Sequence, residues 1–148
     1  MPSGRVHEAV NMICLPATFL VPAPIQVLPF VGGYLFGTFF LSPDLDLATS
    51  RASTRWGLLR WLWMPYARLA AHRRISHYPI IGLVIRLLYL CILVALGCLI
   101  AFMLGWRMTP LAWDRVTIPL MSFVGGLLVA DVLHIALDLL VTGVRKLW

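Results

Sequence analysis

The stretch PIIGLVIRLLYLCILVALGCLIAFML, residues 79–104, decides the fold. It is apolar throughout except for Arg86. A helix needs about 20 apolar residues to cross the hydrocarbon core of a bilayer, and this run is longer. Working outward, IPLMSFVGGLLVADVLHIALDLLVT at 118–142 is a second such run, with Asp131, His134 and Asp138 set into it. Upstream, IQVLPFVGGYLFGTFFL at 25–41 and AVNMICLPATFLV at 9–21 are also apolar, the latter interrupted by Pro16. The pattern predicts an all-α integral membrane protein. It is a four-helix transmembrane bundle with helices near 8–22, 25–42, 79–104 and 118–142, forming a single membrane domain over residues 1–148.

Composition agrees. The chain is 61% hydrophobic and only 12% charged, with a mean hydropathy of +0.90. Soluble domains are about half apolar and about a quarter charged. A disordered chain and a nucleic-acid-binding domain are both excluded. The net charge of +6 then points to anionic lipid headgroups and membrane orientation rather than to nucleic acid. With four spans, Arg5, Arg51, Arg55, Arg60, Arg68, Arg73, Arg74, Arg145 and Lys146 lie on one side, against Arg107 and Arg115 on the other. That bias predicts N-in and C-in in a bacterial inner membrane or its equivalent, with residues 43–78 in the cytoplasm. Glu8 and Asn11 fall where the apolar core of a cleaved signal peptide would begin, which argues for a retained first helix. Gly32, Gly33, Gly37, Gly125 and Gly126 would let helices 2 and 4 pack closely against neighbours, and homo-oligomerisation is open. Cys14, Cys91 and Cys98 read as reduced apolar residues.

Between helices 2 and 3, Trp56, Trp61, Trp63 and Tyr66 alternate with Arg51, Arg55, Arg60 and Arg68. Mixed Trp and Arg suits the headgroup layer, so Thr54–Trp63 is predicted to be a short interfacial helix.

The titratable residues are not scattered. In this topology every His, and every acid except Asp114, falls at one end of the bundle. His7 precedes helix 1, Asp44 and Asp46 follow helix 2, and His72 and His77 precede helix 3. Asp131, His134 and Asp138 sit at i, i+3 and i+7, on one face of helix 4. Asp44 and Asp46 would point the same way if the chain there is extended. Imidazoles and carboxylates together suit Zn²⁺, Mn²⁺ or Fe²⁺. An aspartate inside a membrane-crossing helix costs about 2.5–3.5 kcal/mol, which a metal, a cation or water must offset. Arg86 is the partner for Asp131 if no metal contacts it.

Taken singly, each residue has a plainer reading. His7 is a solvated terminal side chain, and Asp44 and Asp46 belong to a helix-end turn. His72 and His77 bind lipid phosphate with Arg73 and Arg74, and His134 and Asp138 form a hydrogen bond between helices. Their co-location is what the plain readings leave unexplained. Haem ligation by a pair such as His77 and His134 leaves the aspartates unexplained too.

MPSGRVHE at the start, SPDLD at 42–46, RWGLLRWLWMPY at 55–66, HRRISHYPIIG at 72–82 and HIALD at 134–138 resemble a small bacterial membrane family. Its members are described as metal-binding proteins of unknown function, and it is similar to the membrane-bound metal-dependent hydrolases. The resemblance implies that His7, Asp44, Asp46, His72, His77, His134 and Asp138 bind metal, and that four helices cross the membrane. Glu8 stands where Asp is expected, and Tyr78 stands where Gly is expected, narrowing the approach to the site.

These readings converge on a membrane-embedded, metal-dependent hydrolase acting on a phosphoester or lipid headgroup at the cytoplasmic interface. It would use one or two divalent ions, zinc first. His77, His134 and Asp138 are assigned to the first ion. Asp44 or Asp46 would bridge to a second or act as general base, and Arg73 and Arg74 would hold the substrate phosphate. The alternative is a metal-binding structural, sensor or assembly protein without catalysis.

Overall fold

The computed structural model describes residues 3–20, 26–70, 78–107 and 112–147. These are mainly helical, with no strand among them. Helix α1 spans Gly4–Cys14 and continues as a 3-10 segment, Leu15–Leu20. Helix α2 spans Val27–Phe39, and a 3-10 turn follows at Pro43–Asp46. Helix α3 (Arg51–Arg55), a 3-10 segment (Gly57–Trp63) and helix α4 (Met64–Ala70) come next. Helices α5 (Pro79–Met103) and α6 (Trp113–Leu147) complete the chain.

Where four spans are predicted, two helices among the described residues are long and apolar enough to cross a membrane: Ile80–Met103 and Trp113–Gly143. At 1.5 Å per residue, the 13 residues of α2 reach only about 20 Å, against a hydrocarbon core of about 30 Å. The 11 residues of α1 are shorter still, and the α-helix gives way just before Pro16, which has no N–H to donate. Helix α5 begins where the reading placed it. Tyr78 is extended and Pro79 opens the first turn, because proline pushes its predecessor out of the helical region. Gly105 ends α5 at φ +87°, and the Trp106 N–H donates to the Ala101 carbonyl at 3.0 Å.

Two of the five glycines read as packing residues are decisive. A Cβ at Gly33 would sit 1.9 Å from the Phe123 carbonyl oxygen, and one at Gly126 would sit 2.1 Å from that of Phe30. Helices α2 and α6 therefore touch backbone to backbone. The interior is polar for so apolar a chain. Asn11, Thr38, Arg86, Ser122, Asp131, His134 and Asp138 are buried, while Ile13, Leu28, Leu88, Ile100, Phe102 and Leu139 are exposed.

Residues 43–70 pack on α5 and α6, where Leu45, Ala52, Trp63 and Tyr66 share a core with Leu83 and Leu127. The structure corrects the continuous interfacial helix Thr54–Trp63. Gly57, at φ +54°, separates α3 from a 3-10 segment. The Trp63 ring also turns inward, 1% exposed, against Trp56, Tyr66 and Tyr89 at centroid distances of 5.1, 5.8 and 5.4 Å. Burying these rings against one another outweighs laying them all outward. Trp61 alone of the three is exposed.

Candidate metal centre

Helix α6 carries His134 and Asp138 one turn apart, both buried. The opposite wall comes from α1, which Asn11 holds in place. Its Nδ2 donates to Thr38 Oγ1 at 3.1 Å and to the Ala130 carbonyl at 3.2 Å. The Tyr34 hydroxyl donates to the Asn11 carbonyl at 2.6 Å. His7 lies one helical turn before Asn11, so the tether directs its side chain at α6 as well.

The result is a compact cluster. His7 Nε2 is 3.2 Å from Asp138 Oδ1, and His134 Nε2 is 3.9 Å from Asp138 Oδ2. The two imidazole rings stack at 3.7 Å, with 10° between their planes. One donor atom from each of His7, His134 and Asp138 lies within 4.8 Å of the others. Asp44 approaches from the turn after α2, its Oδ1 3.7 Å from His134 Nε2. A polar cleft of about 10 Å³ borders His7, Glu8, Asp44, Arg51 and His134, room for a single water or ion.

Electrostatics favour a neutral His7. Burial first, and then the neighbouring His134, hold His7 below its ordinary pKa of 6.5, with Asp138 partly opposing them. Its imidazole is therefore uncharged at neutral pH and has a lone pair to give. His7 Nδ1 is buried with no hydrogen-bond partner among the described residues. Two imidazoles and a carboxylate are the donor set of zinc and its neighbours. Stacked rings direct their lone pairs side by side, so both must turn to share one ion.

The two aspartates of Ser42-Pro43-Asp44-Leu45-Asp46 do not share a side. Pro43 opens a 3-10 turn in place of the extended chain assumed above. At three residues per turn, positions i and i+2 diverge. Asp44 faces the cleft, whereas Asp46 is buried near Tyr66. Burial pushes the Tyr66 hydroxyl up to about 12, with Arg86 lowering it and Asp46 and Asp131 raising it. Asp131 forms an ion pair with Arg86 Nη2, and Arg86 Nε donates to the Gly82 carbonyl at 3.2 Å. His72, Arg73, Arg74 and His77 lie outside the described residues. Among the described ones, His7 joins His134 and Asp138. Tyr78 is exposed and is not among the residues bordering the cleft.

Two features escape the linear reading. Glu8 accepts a two-pronged contact from Arg55, at 2.6 and 2.9 Å, and a looser one from Arg51 at 3.5 Å. Arg51 also borders the cleft. Their i, i+4 spacing put both arginines on one helix face, but nothing local showed that Glu8 lay opposite.

The family described as "Uncharacterized metal-binding protein (DUF2227)" matches residues 2–148. An uncharacterized protein of Aquifex aeolicus (strain VF5) is 38% identical over 140 residues, covering 86% of this chain and 99% of that protein. No solved structure matches.

Proposed function

The chain belongs to that family of uncharacterized metal-binding proteins, and from this premise we propose that it is a membrane-embedded metal-dependent hydrolase. His7, His134 and Asp138 hold a divalent ion, zinc first, with Asp44 beside it. The observation that carries the reading is the convergence of donors from the two ends of the chain on one buried point. Bound there, the ion supplies Lewis acidity toward a phosphoester or a lipid headgroup. Asp44 is the less buried of the two candidate bases and faces the cleft, so its carboxylate takes the proton from the attacking water. Asp138 orients His7, and the Asn11 tether orients α1.

The inverted interior supports the membrane reading. In the apolar window of α5 only 11% of residues are buried, whereas the core helix of a soluble protein is mostly buried. Each Leu or Ile so exposed would forgo about 1.5–3 kcal/mol in water, and lipid removes that penalty. In this reading α5 and α6 span, α1 and α2 complete the bundle as a short hairpin, and the site lies at the cytoplasmic end.

The cleft also favours a second reading. Small-molecule pockets run to several hundred Å³, whereas this cleft admits one small ligand. A closed site of that size suits a structural or sensing metal.

Metal content of detergent-purified protein tests the site. Wild type is expected to hold one equivalent of zinc, and His134→Ala and Asp138→Ala are each expected to lose it. Absence of metal from wild type after reloading refutes both readings. Metal retained by both variants relocates the site. Cleavage of a phosphodiester or phospholipid by loaded wild type then separates the hydrolase from the sensor.

A further inference from the structure

Resting on that metal site, we propose that Arg51 is the anion-recognising residue of the centre, so that the metal's exogenous ligand is a phosphate oxyanion. The argument is one of charge and reach. Arg51 contacts Glu8, but Arg55 already neutralises that acid through two contacts, at 2.6 and 2.9 Å. Arg55 is further committed. It donates to the Phe39 carbonyl at 3.2 Å and lies over the Phe39 ring at 4.8 Å. Arg51 makes one contact to Glu8, at 3.5 Å, and its side chain is 45% exposed, against 27% for Arg55 and 14% for Glu8.

One arginine is thus structural and the other keeps donors to give. Arg51 borders the same cleft as His7, Asp44 and His134. An oxyanion at the mouth of that cleft, whose interior has room for one ion, would meet the metal on one side and the part-exposed Arg51 guanidinium on the other. The planar fork matches phosphate with two parallel hydrogen bonds, which a point charge cannot do. Three protein ligands leave a tetrahedral ion one position for such a group. A free phosphate and a phosphomonoester lipid headgroup present the same oxygens.

Cobalt substitution reads the site without any turnover. Co²⁺-loaded protein in detergent shows visible d–d bands when the ligands engage, and these bands report folding of the site in each variant. Inorganic phosphate is expected to shift the wild-type bands. Arg51→Gln is expected to weaken that response about tenfold to a hundredfold while keeping the phosphate-free spectrum, and Arg51→Lys to restore it in part. A second arm places wild type in phosphatidylcholine nanodiscs with and without phosphatidic acid. A shift with phosphatidic acid alone assigns a lipid headgroup, and a shift with free phosphate assigns a soluble ligand. If neither shifts the bands, or if Arg51→Gln binds phosphate as wild type does, the proposal is overturned while the metal site stands. If wild type develops no cobalt bands, the metal site falls and the proposal with it.

Discussion

Replacing Asp131 with Asn leaves the Arg86 guanidinium, which has no exposed surface, without its counter-charge. Removing one partner of a buried pair costs about 3–5 kcal/mol, because the survivor is a desolvated charge. Asn keeps the shape and one acceptor oxygen, so the cost belongs at the lower end, about 3 kcal/mol. For a chain of this size that lowers Tm by about 6–12 °C. Removing both charges is a different perturbation. Arg86 Nη1 is buried with no hydrogen-bond partner among the described residues. Arg86→Met with Asp131→Leu therefore recovers most of the loss, since apolar replacement of a buried pair is often neutral or stabilising. Thermal unfolding in detergent, followed by circular dichroism, gives the three values. The double variant should also bind metal as wild type does, because neither residue is among the three donors. If the double variant is no more stable than Asp131→Asn, or if it loses metal, then Asp131 serves the centre and the ion-pair reasoning is wrong.

Gly33→Ala must push the Phe123 carbonyl from 1.9 Å to about 3.3 Å, a separation of α2 from α6 that costs about 3 kcal/mol and shifts Asp44 away from His134. Gly97→Ala, with nothing within 4 Å of the new methyl, is the control, and a gain of about 0.5–1 kcal/mol is expected. Equal melting temperatures for the two variants would contradict the close approach. Acidification supplies a further test. His7 titrates below 6.5 in the folded chain, so the unfolded chain protonates first. Stability of the metal-free protein is then full above about pH 6.5 and declines below it. Metal affinity falls in the same direction, since protons compete for the imidazoles. Chelator competition between about pH 5 and 8 would show no slope if neither histidine is a ligand.

The helical class, the two long apolar helices and the face shared by Asp131, His134 and Asp138 were legible in the sequence. Each depends on composition or on a 3.6-residue period, and both are local properties of the chain. The helix-packing glycines were legible as a set, because small residues in an apolar helix have few other uses. Which glycines meet backbone, at Gly33 and Gly126, was decided only by the crossing of α2 and α6. The same holds for the site. Four histidines and five acids at one end formed a pool, and no spacing rule chooses among residues more than a hundred positions apart. His7 meets Asp138 because Asn11, one turn away, is held by Thr38 and Ala130. Asp44 parts from Asp46 because Pro43 starts a tight turn there. Asp131 turns to Arg86 because α5 brings a guanidinium into the interior, where it is fully buried. Residue type and period determined the available donors and the faces that carry them. Long-range packing, with the cost of burying polar groups unpaired, decided which donors meet.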